Sequence, residues 1–210
     1  LASSCRHFDR GSGDWDWGQL DQSEFVFGGT GACLLISISC ARAVCLPSSI
    51  SDEPIFRVYP QLKQGTEERP KLFDEAFFAY REDADLSWRA QLLGWRCWYE
   101  AGARANHVRV VTHDRRASVS PSLNSYSVRN RFLMQIHNWR WRQGCKFFVY
   151  GIVFRNLVVI GGVITLELRS LRGLREALSL APRALKIREW IKLQEQSGHR
   201  KPERHSLTKP

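Results

Sequence analysis

Between Glu82 and Leu93 apolar residues recur at helical spacing: Leu86, Ala90 and Leu93 share one stripe, Trp88 and Leu92 lie beside it, and Asp85 and Arg89 stand as an i,i+4 ion pair. Gly94 can adopt the left-handed conformation that ends such a helix, and the residues after it, WRCWY, alternate as a strand. Glu82 and Asp83 therefore open the helix, where unpaired amides and the macrodipole stabilise charged carboxylates by ~0.3–1 kcal/mol. Upstream, EFVFGGTGACLLISI (24–38) reads as a strand, a glycine turn, and a second strand or a helix. Residues 46–71 hold four of the eight prolines and little periodicity, which predicts a long irregular connection. A second short strand is expected around ARANHVRVV (103–111), then a helix over 121–142 with Leu123, Val128, Phe132 and Ile136 among polar and basic neighbours. Residues 147–168 form the most apolar window, long enough to span a bilayer. Arg155 and Asn156 near its middle and the Gly161-Gly162 interruption favour a helix lying in the membrane interface, or packed on the domain, over a span.

Composition narrows the class. A chain of 210 residues, 43% hydrophobic, can bury one substantial core, so one domain with appendages is expected rather than a disordered chain. Its 31 basic residues exceed the 21 acidic ones, giving +10, which suits an anionic partner: membrane headgroups, nucleic acid or a phosphorylated substrate. The six cysteines contain no CxxC pair and no zinc-finger spacing, and scattered thiols fit a reducing compartment, the cytoplasm, better than a disulfide scaffold. The last residues, 196–210, read as a disordered basic tail.

The segment FDEAFFAYREDADLSWRAQLLGWRCWY (73–99), followed by ARANH, resembles the acceptor-side half of family 2 glycosyltransferases, especially rhamnosyltransferase-like and galactofuranosyltransferase-like members. FDRGSGDWDWGQLDQSEFVFGGTGAC (8–33) resembles the stretch leading into that family's glycine-alanine acceptor loop, and NSYSVRNRFLMQIHN (124–138) its Arg-Asn-Arg helix. The resemblance implies an α/β fold, the C-terminal part of a GT-A (Rossmann-like) domain whose nucleotide-binding half would precede Leu1, followed by helices. On this reading 1–115 is a partial catalytic domain with an irregular insertion at about 35–72, and 116–195 is a helical region, membrane-associated at 147–168. The basic pair that usually follows the glycine loop is absent here.

What the resemblance implies chemically is inverting transfer of a sugar such as rhamnose from a nucleotide-sugar donor to a cell-surface polysaccharide or lipid-linked acceptor. Such a displacement needs a base beside the acceptor hydroxyl, and an ionised carboxylate serves. By its match to the second acid of the family motif, Asp83 is the expected base, with Glu82 orienting acceptor or sugar; without the resemblance, helix N-terminal caps are the favoured reading of both. Gly31, Asp85, Arg89, Trp95, Arg129 and Arg131 are the expected substrate-binding residues, the two last meeting a diphosphate or lipid-linked phosphate through guanidinium hydrogen bonds. A solvated basic helix face is the competing reading of Arg129 and Arg131. His107 is the implied metal ligand, for Mg²⁺ or Mn²⁺ in the complete enzyme. DWD (14–16) lies in a loop with no preceding apolar strand and is not taken as a metal motif, and GGTGAC (28–33) lacks the Lys-Ser/Thr of a phosphate loop.

The alternative is a non-catalytic basic module binding membranes or nucleic acid. HNWRWRQGCKFF (137–148) interleaves aromatics and bases as nucleic-acid stacking would require, but its place just before the apolar segment suits an aromatic and basic belt at a membrane surface. The expected location is the cytoplasm, peripheral at the inner face of the cell membrane, with an anionic membrane surface as partner.

Overall fold

A computed structural model describes residues 9–63, 70–105 and 121–197 of the chain. Its first half builds strand β1 (Glu24–Val26), helices α1 (Ile38–Val44), α2 (Glu53–Val58) and α3 (Glu82–Leu92), and strand β2 (Cys97–Tyr99). Then come α4 (Pro121–Asn138), α5 (Cys145–Phe147), a π-helical stretch Phe148–Phe154, α6 (Arg155–Leu166) and the long α7 (Leu171–Gln196).

The expected α/β, Rossmann-like fold is contradicted: the described residues are 61% helical and hold a single two-stranded sheet. A parallel doubly wound sheet needs strands long enough to be covered by helices on both faces. Here β1 and β2 are three residues each and antiparallel, with Phe25 opposite Trp98. Both of those rings are exposed, stacked edge to face at 4.8 Å. The sheet is a surface ribbon, and the core is built by helices.

α4 is the central element. Ser125 lies against Gly173, Arg129 bonds Glu176, Arg188 bonds the Ile136 carbonyl, and Arg140 bonds Glu195, so α4 and α7 run parallel. A Cβ on Gly173 would fall 2.3 Å from the Ser125 carbonyl oxygen, so only glycine allows this approach. Between them the chain returns antiparallel to α4: Phe148 meets Trp139 at 5.1 Å, Gly151 meets Arg131, and Arg169 meets Ser125.

The main apolar cluster joins Ile55 and Tyr59 of the α2 region, Phe77, Trp88 of α3, Leu133 and Met134 of α4, and Leu180 of α7. Residues 35–72, expected as an irregular insertion, instead contain α1 and α2, and Val44, Leu46, Ile50 and Ile55 are buried there. Their helices are seven and six residues long, too short to show a periodic signal. Ser37 caps α1 through its side chain, and Leu46 pairs with Lys71 to close the segment.

α4 also departs from its expected face. Leu123, Val128, Phe132 and Ile136 are only half-buried, whereas Arg129, Asn130, Arg131, Gln135, His137 and Asn138 are buried. Beside Leu133 and Met134, much of what α4 buries is polar and hydrogen-bonded within the protein, which a hydrophobic stripe cannot reveal.

Candidate functional site

α3 begins at Glu82, and Gly94 follows it with φ +87°, as its spacing predicts. The approach to α3 is unusual. Phe78, Tyr80 and Arg81 all hold positive φ (59°, 69° and 71°), a region that disfavours residues bearing a Cβ by roughly 1–2 kcal/mol each. Side chains of α4 hold this turn. The Asn130 amide donates to the carbonyls of Phe77 (2.9 Å), Ala79 (2.7 Å) and Tyr80 (2.7 Å), and Arg129 donates to Phe77 as well (2.7 Å). Arg81 donates to the Ser127 carbonyl and hydroxyl. The turn thus sets the position of Glu82 and Asp83 from α4, some fifty residues away.

The glycine loop approaches the same two residues from the other side. Phe27 accepts from Gln91 Nε2 (2.6 Å), Gly28 lies on Ser87, and the Gly31 amide donates to Asp83 Oδ2 (3.2 Å). Residues 83, 87 and 91 are successive i,i+4 positions on one face of α3, so the loop lies lengthwise along that face. A Cβ on Gly28 would sit 2.1 Å from Ser87 Oγ, which is why a glycine stands there.

Asp83 is half-buried, with Oδ1 accepting the Ala84 amide at 2.7 Å and Oδ2 the Gly31 amide. A carboxylate offers about four lone-pair sites, so both oxygens retain capacity for a substrate hydroxyl. Glu82, beside it, has one oxygen, Oε2, buried without a hydrogen-bond partner. Burial holds the Glu82 carboxyl above the ordinary carboxylate range, and the Asp83 charge pushes in the same direction.

Other expected substrate-binding residues lie elsewhere. Asp85 is buried, bonded to Arg89 (3.2 Å), His137 (2.9 Å) and Asn138 (2.6 Å). Desolvation pushes its pKa up, but His137, Arg89 and Asn138 outweigh it and the net shift is downward. The Asp85–Arg89 pair is therefore present as expected, but as an interior contact, with Arg89 also donating to the Leu72 carbonyl. Trp95 packs against the cluster of Cys40, Val44 and Leu86. Arg129 and Arg131, expected at a phosphate, are buried: Arg129 pairs with Glu176 (2.9 Å) and Tyr59, and Arg131 with Asn156 (2.8 Å) and the Gly151 carbonyl (2.8 Å). Neither reading of these arginines, a phosphate clamp or a solvated face, fits that burial.

His107 lies outside the described residues. Among the described residues no three His, Cys, Asp or Glu side chains converge as a metal site would require. Among the described residues, then, no donor set for the implied Mg²⁺ or Mn²⁺ is assembled. Asp14, Trp15 and Asp16 are exposed, Trp15 at 81%. Compared with family models, curated proteins and solved structures, the chain matches none.

Sequence reasoning missed Asn130 and His137. Asn130 stands between the two arginines that drew attention, and its role depends on the positive-φ run. No glycine marks that run in FFAYR, so the sequence carries no signal for it.

Proposed function

We propose that this chain provides the acceptor-side carboxylates of an inverting glycosyl transfer, moving a sugar such as rhamnose from a nucleotide donor to a glycan or lipid-linked acceptor. One observation carries the reading: the glycine loop and the acidic motif, 52 residues apart, meet at the Gly31–Asp83 hydrogen bond. These are two of the segments on which the resemblance rests, and their junction leaves Asp83 with free lone pairs at the end of a helix.

In the proposed step the acceptor hydroxyl gives its proton to the Asp83 carboxylate as its oxygen bonds to the anomeric carbon. The bond from that carbon to the diphosphate oxygen breaks, and the nucleoside diphosphate leaves with the electron pair. Glu82, beside Asp83, orients a sugar or acceptor hydroxyl. The Gly31 amide and the turn braced by Asn130 hold Asp83 in place, so little of its orientation must be fixed during reaction.

The test is transfer from a panel of dTDP- and UDP-sugars to lipid-extracted acceptors, using the full chain and Asp83→Asn. We expect Asp83→Asn to lower turnover ~10²–10⁴-fold with an unchanged circular dichroism spectrum and melting temperature. Wild-type turnover in the variant removes Asp83 from the reaction. A folded wild-type chain that transfers no sugar and binds no glycan or lipid-linked acceptor by calorimetry overturns the reading.

A further inference from the structure

The segment Cys145–Leu166 is one continuous 22-residue helical run, whose most apolar 18-residue window has mean hydropathy 2.0 and is 11% buried. The Gly151 carbonyl and the Asn156 side chain near its middle face the protein. At the π-helical turn the Arg155 amide bonds the Tyr150 carbonyl instead of that of Gly151, as an i to i−5 ladder requires, which frees the Gly151 carbonyl. Arg131 (2.8 Å) and Gln135 (3.2 Å) of α4 donate to it. The Asn156 side chain is held by the same pair, accepting from Arg131 and donating to Gln135 (2.7 Å).

The opposite face carries Tyr150, Phe154, Leu157, Val158, Ile164 and Leu166, exposed by between 45% and 88%. This is a helix turned inside out for water: polar inward, apolar outward. Such a face is stable only against an apolar medium or partner. The charge around it selects the medium. Within 141–175 there are six bases, Arg142, Lys146, Arg155, Arg169, Arg172 and Arg175, and one acid, Glu167. Five of the six flank the helix at its two ends, and Lys146, Arg169 and Arg175 are exposed. Trp141, exposed by 68%, adds an interfacial ring at the N-terminal end.

We propose that Cys145–Leu166 docks this protein in the interface of an anionic lipid bilayer, lying in the membrane plane with its outward face in the acyl boundary and its flanking bases at the headgroups. It lies in the plane because it follows α4 along its length, from Phe148 against Trp139 to Arg169 against Ser125. A bilayer-crossing pose would strip Asn156 and the Gly151 carbonyl of their partners inside hydrocarbon. The proposal stands independently of the glycosyl-transfer reading.

Flotation of the full chain with phosphatidylcholine vesicles, with and without phosphatidylglycerol, tests it. The wild type floats with the anionic vesicles, and three exposed bases favour them on the order of 100-fold over neutral ones at low salt. Carbonate at high pH releases it, as expected of an in-plane helix. Phe154→Asp/Leu157→Asp, which alters only outward positions, keeps the melting temperature and loses flotation. A wild type that stays at the bottom of the gradient, a double variant that floats as well as the wild type, or a carbonate-resistant pool overturns the proposal. So does a wild-type dimer that becomes monomeric in the double variant without either floating, since a second copy would then be the occupant.

Discussion

Asn130→Ala should destabilise the chain and release the turn that positions Glu82 and Asp83. The amide carries two hydrogens and shares them among three carbonyls, those of Phe77, Ala79 and Tyr80. Two hydrogen bonds contribute about 0.5–1.5 kcal/mol each, and the loss also deprives buried Arg129 Nε of its acceptor, Asn130 Oδ1 at 2.9 Å. That second loss adds about 1 kcal/mol or more. Relaxation of the positive-φ run recovers part of it, so a net loss of about 2–3 kcal/mol is expected. Asn130→Asp separates this account from simple cavity formation. It keeps the volume but turns acceptor oxygens toward three carbonyl oxygens, so at neutral pH it should be no more stable than Asn130→Ala. Urea unfolding followed by tryptophan fluorescence gives both values, and amide exchange over residues 78–83 reports the turn directly. An alanine variant within about 0.5 kcal/mol of wild type, or an aspartate variant more stable than the alanine one, refutes the reasoning.

Two further outcomes follow from the same region. Gly28→Ala places a Cβ 2.1 Å from Ser87 Oγ and 2.2 Å from Ser87 Cβ, and overpacking of this kind costs about 1–3 kcal/mol. Transfer should fall with it, and Ser87→Gly added to Gly28→Ala should restore transfer despite its own helix cost; a Gly28→Ala chain as stable and active as wild type removes the loop from the site. Glu82→Gln should stabilise the chain progressively as pH rises from its ordinary value of 4.5, because a carboxyl whose folded pKa is raised favours folding while protonated and loses that contribution as pH passes its folded value. Urea midpoints of the two chains should converge at about pH 4 and separate by about pH 7.5; a gap that is constant or closes with rising pH contradicts the assigned burial effect.

Several elements were legible because local chemistry dictates them. The helix from Glu82, its end before Gly94, the WRCWY strand and the Asp85–Arg89 pair each depend on residues within a few positions of one another. The fold class was not legible. A Rossmann-like sheet was inferred from the resemblance, whereas the described residues hold one ribbon of three-residue strands and a helical body. In residues 35–72, α1 and α2 are too short for periodicity to register and are fixed by what they bury, Val44 and Ile55 among the contacts of distant helices.

The site divides along the same line. Glu82 and Asp83 were legible as helix-opening acids, but what holds them lies on α4, and there the usual inference from polarity to exposure fails. Arg129 and Arg131 are basic residues on a helix that also carries Leu123, Val128, Phe132 and Ile136, so an amphipathic reading sends the arginines outward. Both are buried because partners await them: Glu176 and the Phe77 carbonyl for Arg129, Asn156 and the Gly151 carbonyl for Arg131. Breaking a buried charged contact costs about 3–5 kcal/mol, so each arginine constrains two elements at once. Arg129 and its neighbour Asn130 tie the turn of the carboxylates to α7, while Arg131 ties the outward-facing apolar helix to α4. One Arg-Asn-Arg triplet thereby fixes both the candidate catalytic turn and the candidate membrane-facing helix, and it does so by being buried, the opposite of the role its sequence suggests.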